Sequence, residues 1–192
     1  MGNKGEETKK LIREKSCSLF ARKGFNNVTM KDICIETGLS RGGLYRHYDS
    51  TQQIFLEIID SLMDAQDNEF SEKMEKEYPA VQILDEILER YKAEMSDSEG
   101  SLGLAIYEFY SEIQTDNNDN ILLKQYEHSA NVWKEFISYG IKRGEFRNVD
   151  SNELVDIILF SYQGVRMLSE IFPVNEKVPE RIINHIRREL LI

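Results

Sequence analysis

Between Lys23 and Thr51 the chain is cut into pieces by residues that stop and start helices, and no piece exceeds about ten residues. Gly24 is a C-terminal stop for a helical pattern running from about Thr8 to Lys23, with Leu11, Ile12, Leu19 and Phe20 on one face. Phe25 and Val28 are apolar anchors in the connection that follows. Thr29 is a good N-cap, and Asp32, three residues on, completes a capping-box pattern. The helix it starts runs to about Thr37, buries Met30, Ile33 and Cys34, and is closed by Gly38. Leu39 is the apolar pin of the turn. Ser40 caps a third short helix reaching about Tyr48. Two short helices meeting at a tight glycine-containing turn are the pattern of a helix-turn-helix.

From Thr51 the pattern lengthens. A fourth helix runs from Thr51 to about Glu77, striped by Ile54, Phe55, Ile58, Ile59, Leu62 and Met63. Pro79 breaks it and opens a helix to about Met95; Ser96–Gly100 reads as a polar loop. Aromatic-rich Leu102–Gln114 is next, then a second polar loop, Thr115–Asn120. Helices are expected over Ile121–Lys142, Ser151–Phe172 and Glu180–Leu191, with Gly144, Pro173 and Pro179 marking their ends. No segment alternates as a strand would. The reading is all-α, about nine helices, with an N-terminal three-helix unit over 1–50 and a helical body over 51–192.

The net charge of −10 is unevenly spread. Residues 1–48 hold ten Lys/Arg against five Asp/Glu and are +5; the remaining 144 hold 14 against 29 and are −15. A small basic module on an acidic body attracts a polyanion at one end and repels it at the other.

Other classes fit poorly. No stretch approaches the roughly 20 apolar residues of a membrane span, and MGNKGEETKKLIREK is too charged for a secretory signal, so a cytoplasmic protein is expected. The histidines, His47, His128 and His185, are far apart, and no HExxH, nucleophile elbow or phosphate loop occurs. No enzyme activity, catalytic residue, metal or cofactor is therefore expected. Cys17 and Cys34 read as small core or boundary residues of a reduced compartment.

The third helix, SRGGLYRHY, is an odd core helix: two glycines, two arginines, a histidine and two tyrosines surround one aliphatic residue, Leu44. Each glycine weakens a helix by up to about 1 kcal/mol, a cost that makes sense where backbone must approach DNA. Such a helix can lie in the major groove, while Thr29 offers its hydroxyl and N–H to a phosphate.

The segment Lys10–Phe55 resembles the TetR family of repressors. The likeness is carried by Ile12, Phe20, Gly24, Phe25, Thr29, Asp32, Ile33 and Gly38, then by LSRGGLYRHY with Leu44, Tyr45, His47 and Tyr48. The remainder is similar only in layout, including GIKRGEFR before the penultimate helix. The resemblance implies phosphate contacts from Thr29, Ser40, Tyr45, His47 and Tyr48, and base contacts from Lys31, Arg41, Gly42, Gly43 and Arg46. Arg41 and Arg46 suit guanine, whose O6 and N7 a guanidinium bonds together. Tyr45 and Tyr48 have a second reading, packing against the first helix, and Thr29 a second as a cap alone. Two departures from the family pattern stand out. Gly43 lacks a methyl for thymine, and Thr51 replaces a phosphate-binding lysine, which lowers the electrostatic contribution per subunit.

For the body, the resemblance implies a homodimer through the last two helices, with Ile182, Ile183, Ile186 and Leu190 on the final one; burial inside one subunit is the alternative. Two-fold dimers read a palindromic operator in double-stranded DNA. It also implies an effector pocket for a small molecule, drawn from Tyr107, Glu108, Tyr110, Trp133, Phe136, Tyr162 and Arg166, with Glu112 and Gln163 as further polar groups. Effector binding then shifts the population toward a state that releases the operator, with the fourth helix as lever. A DNA-binding protein with a solid core and no such switch is the rival reading.

Overall fold

The turn and cap signals of the first fifty residues fall at helix ends. The computed structural model describes residues 2–96, 101–112, 121–169 and 171–192; most of the two polar loops lies outside these, as does the side chain of Glu112. Nine helices are present among the described residues: α1 (Gly2–Lys23), α2 (Met30–Thr37), α3 (Arg41–Tyr45), α4 (Thr51–Glu75), α5 (Ala80–Ser96), α6 (Gly103–Glu112), α7 (Ile121–Lys142), α8 (Ser151–Ser169) and α9 (Lys177–Leu190). α1 starts six residues before the expected Thr8. Glu6, Glu7, Lys9 and Lys10 are good helix formers, and the Thr8 hydroxyl donates to the Lys4 carbonyl at 2.8 Å. No helix among the described residues is long and apolar enough to cross a membrane.

The chain forms two compact units. The first comprises residues 1–62 together with 99–114, the second 63–98 together with 115–192. This division differs from one at residue 50 because the early turns of α4, and the whole of α6, pack with the N-terminal helices. Ile12, Leu19 and Phe20 of α1, Ile33 of α2, Leu44 of α3, Ile54, Phe55 and Ile58 of α4 and Phe109 of α6 are buried. The rings of Phe20, Phe25, Phe55 and Phe109 stand 4.7–5.7 Å apart, mostly edge-on or tilted.

In the second unit, α5 is the central helix: Ala80, Ile83, Leu84, Ile87, Leu88, Tyr91 and Met95 are all buried. Trp133 and Phe136 of α7 are fully buried and meet Phe70 of α4 edge-on at 5.2 Å. Gly140 lies flat against the ring of Phe146, whose residue forms an isolated antiparallel bridge with Leu191. On α9, Ile183, Ile186 and Leu190 face this unit's own core and Ile182 packs against it, so the apolar face of the last helix is used within the subunit. The α9 residues expected at a dimer seam therefore lie against this unit's own core. α8 behaves differently. Its inner side is buried through Leu154, Ile158, Tyr162 and Val165, while Ile157, Phe160, Met167 and Leu168 are exposed, followed by Ile171 and Phe172.

Candidate nucleic-acid interface

The first unit positions its candidate DNA-binding side chains by capping. Thr29 is the N-cap of α2: its oxygen accepts from the Asp32 N–H at 3.2 Å, and its own N–H donates to Asp32 Oδ2 at 2.9 Å. The Thr29 hydroxyl proton also goes to Asp32. Both groups that Thr29 was expected to offer a phosphate are engaged with Asp32, and capping is the role its bonds define. The first-turn N–H groups of Met30 and Lys31, which no carbonyl of the helix reaches, are the better donors. These bonds, the Thr29 hydroxyl foremost, with Lys23 Nζ at 3.0 Å, hold the Asp32 carboxyl well below the usual carboxylate range.

Gly38, at φ 71°, makes the left-handed turn that ends α2 and aims the next helix. Ser40 caps α3 by accepting from the Gly43 N–H at 3.1 Å, which leaves its hydroxyl proton to donate outward. α3 ends at Tyr45, three residues short of the expected Tyr48; the N–H groups of His47 and Tyr48 both fall back on the Leu44 carbonyl. Arg41, Gly42, Tyr45 and Arg46 are exposed, as is Lys31 on α2, while Gly43 and His47 are half-buried. Neither Arg41 nor Arg46 is paired with a carboxylate among the described residues; Arg41 instead stands over the Tyr45 ring, 5.4 Å from its centroid.

Tyr48 departs from its expected role in phosphate binding. It is 1% exposed, with Lys9 over its ring at 5.4 Å. Burial first, and then Glu57, push its hydroxyl up to about 12, with Arg13 opposing. Arg13 pairs with Glu57, and Lys9 reaches the same carboxylate at 3.7 Å. Tyr48 is therefore a core residue beneath the interface. Spacing held the signal for this: Tyr48 lies four residues from buried Leu44, while Tyr45 lies four from exposed Arg41.

One residue was assigned elsewhere by sequence. Glu108 on α6, expected at an effector pocket, accepts the Asn26 N–H at 3.0 Å in the α1–α2 connection. Its carboxylate fills the space beside Gly24, where a Cβ would lie 2.5 Å from Oε2. Gly24 has φ 74°, a backbone conformation that glycine adopts without the strain of a Cβ. Burial raises the Cys17 thiol of α1, which makes it a poor nucleophile.

The other candidate effector residues divide between the units. Tyr107, Glu108 and Tyr110 lie on α6 in the first; Tyr107 is exposed and Tyr110 rests edge-on against Phe109. Trp133, Phe136, Tyr162 and Arg166 lie in the second, where Tyr162 and Arg166 join a polar stack that sequence did not suggest. Tyr91 and Tyr162 stack at 4.0 Å, Arg90 and Arg166 each lie 5.1 Å over one of these rings, and Trp133 Nε1 donates to the Tyr91 hydroxyl at 3.2 Å. Glu94 accepts from the Tyr162 hydroxyl and pairs with Arg90 at 3.2 Å; Arg166 donates to the same hydroxyl at 3.0 Å.

Residues 12–58 match the family described as bacterial regulatory proteins, tetR family, and residues 83–178 the tetracyclin repressor-like C-terminal domain. The chain is similar to the uncharacterized HTH-type transcriptional regulator YfiR of Bacillus subtilis, 30% identical over 142 residues, covering 72% of this chain and 67% of the other. Among solved structures, a TetR transcriptional regulator from Chloroflexus aurantiacus superposes with a TM-score of 0.74 at 22% identity, covering 98% of each chain. A putative regulator from Saccharomonospora viridis, in complex with choline, gives 0.75 at 20% identity, covering 97% of this chain and 99% of that one.

Proposed function

The chain belongs to the TetR family of helix-turn-helix transcriptional regulators, and we propose that it is a repressor that binds a palindromic operator as a homodimer and leaves it on binding a small-molecule effector. The observation that carries the DNA-binding half is α3. A helix capped by Ser40 presents two exposed guanidinium groups, Arg41 and Arg46, with no carboxylate partner among the described residues, from a segment of charge +5. Arg41 and Arg46 read guanine edges, and Gly42 lets backbone come close; a Cβ there would meet nothing within 4 Å. Lys31, Gly43, Ser40, Tyr45 and His47, with the first-turn N–H groups of α2, fix the register on the phosphates and groove.

The dimer forms along α8. Phe160, Gly164 and Leu168 follow one another at helical spacing on α8, and space beside Gly164 is open, so a second α8 can approach closely there. The polar outer residues of α9, Glu180, Arg181, Asn184 and Arg188, flank this seam. The effector is held in the second unit around Tyr162, Arg166 and Trp133, where aromatic faces and charged groups occur together. Choline in a related fold supports a small organic effector as the class.

Selection from a random duplex pool tests the reading. A two-fold symmetric consensus with half-sites about 34–36 Å apart, weakened by Arg41→Ala, Arg46→Ala and added salt, is expected. Enrichment no better than non-specific DNA rules it out.

A further inference from the structure

Arg41 and Tyr45 are four residues apart on α3 and so rise from the same side of it. The guanidinium carbon of Arg41 stands 5.4 Å from the Tyr45 ring centroid, within the range in which a cation is attracted by the face of an aromatic ring. Little else holds this arginine. The next two positions are glycines with no side chain to lean on, a Cβ at Gly42 would meet nothing within 4 Å, and no carboxylate pairs with Arg41 among the described residues. An arginine in that setting would sample many rotamers, each of which must be given up on binding a base.

We propose that Tyr45 is a positioning and specificity residue: its ring holds the Arg41 guanidinium in the plane from which it reads one guanine of each half-site. The inference rests on α3 being the recognition helix. The two contacts are compatible because they use different parts of the group. A guanidinium carbon over the ring turns one side of the group to the aromatic face, and its N–H donors remain for O6 and N7 of guanine. The phenol hydroxyl stays free for a phosphate, so Tyr45 contributes to affinity through its oxygen and to selectivity through its ring. The glycines belong to the same device: they keep the groove-facing side of α3 low enough for the Arg41–Tyr45 pair to reach the base.

Competition binding of the full-length protein to the selected consensus duplex, and to duplexes changed at one base pair, separates these roles. Arg41→Ala identifies the base pair that Arg41 reads, as the one whose preference disappears. Tyr45→Phe is expected to weaken every duplex alike and to keep that preference. Tyr45→Leu and Tyr45→Gln are expected to lower discrimination at that base pair about two- to fivefold, with the preference assigned to Arg46 unchanged. Wild-type discrimination in both ringless variants overturns the proposal, and so does an equal fall at the Arg46 base pair, which would mean a displaced helix. If Arg41→Ala alters no base preference while the consensus stands, Arg41 is not a reader and the proposal falls without the DNA-binding function. Thermal melts matching wild type in at least one ringless variant exclude unfolding as the cause.

Discussion

Tyr48 and Tyr45 are the same residue type three positions apart with opposite assignments, one inside the first unit and one outside. Tyr48→Phe keeps the buried ring and removes the hydroxyl from the neighbourhood of Arg13 and Glu57. Operator affinity in a filter-binding titration is expected to stay within about twofold of wild type, and melting to show stability equal to or above wild type, because the buried hydroxyl has no hydrogen-bond partner among the described residues. Asp32 supplies a pH-dependent counterpart. Its pKa is lowered by bonds from Thr29 and Lys23, so its contribution is complete above the ordinary carboxylate value of 3.8 and is lost as the pH falls below it. Melting temperatures of wild type and Asp32→Asn should therefore differ most at neutral pH, with wild type higher, and the gap should begin to shrink as the pH falls below 3.8 and close only as it passes through the lowered folded value. A constant gap across the titration would assign the effect to something other than ionisation. At this scale the caps were legible because Thr29, Asp32 and Ser40 act on backbone within three residues. The buried place of Tyr48 was half-legible: its ring needs a partner from α1, but its spacing from Leu44 was in plain view.

Helices and their stops were readable for the same reason, since Gly24, Gly38 and Gly144 all adopt positive φ where the pattern ends. What was not readable is which helix a side chain meets. Glu108 and Asn26 are 82 residues apart, and nothing local to α6 announces that its carboxylate will cap an amide beyond α1. The exposed face of α8 and the inward face of α9 look alike in sequence, and only the packing around α5 tells them apart. The Gly24 socket offers a test of the long-range contact. Gly24→Ala places a Cβ against the Glu108 carboxylate and also forces alanine into the left-handed region, which alone costs about 1–2 kcal/mol. Glu108→Ala relieves the clash and not the backbone strain. In a double-mutant cycle read by thermal denaturation, the pair is expected to lose less than the sum of the singles; strict additivity would place Glu108 away from Gly24 in solution.

Along the sequence, a +5 beginning is followed by an acidic body, and exposed apolar residues gather on α8 near the end. Phe160, 68% exposed, is the most informative of these. Phe160→Glu is expected to shift the protein from dimer to monomer in sedimentation equilibrium, and to weaken binding to a two-half-site duplex at least tenfold while leaving half-site binding nearly as before; an unchanged dimer would move the seam elsewhere. The bond between Glu108 and Asn26 has a different consequence, for how such regulators can be recombined. Residues 1–62 look like a cassette that could be exchanged between proteins, yet their fold is completed by a helix encoded forty residues downstream. Transplanted alone, that cassette would carry an empty notch at Gly24 and bare rings at Phe25 and Phe55. A working chimera needs a host that brings its own carboxylate and its own aromatic plug to the same spot, or one that borrows residues 99–114 along with the first 62.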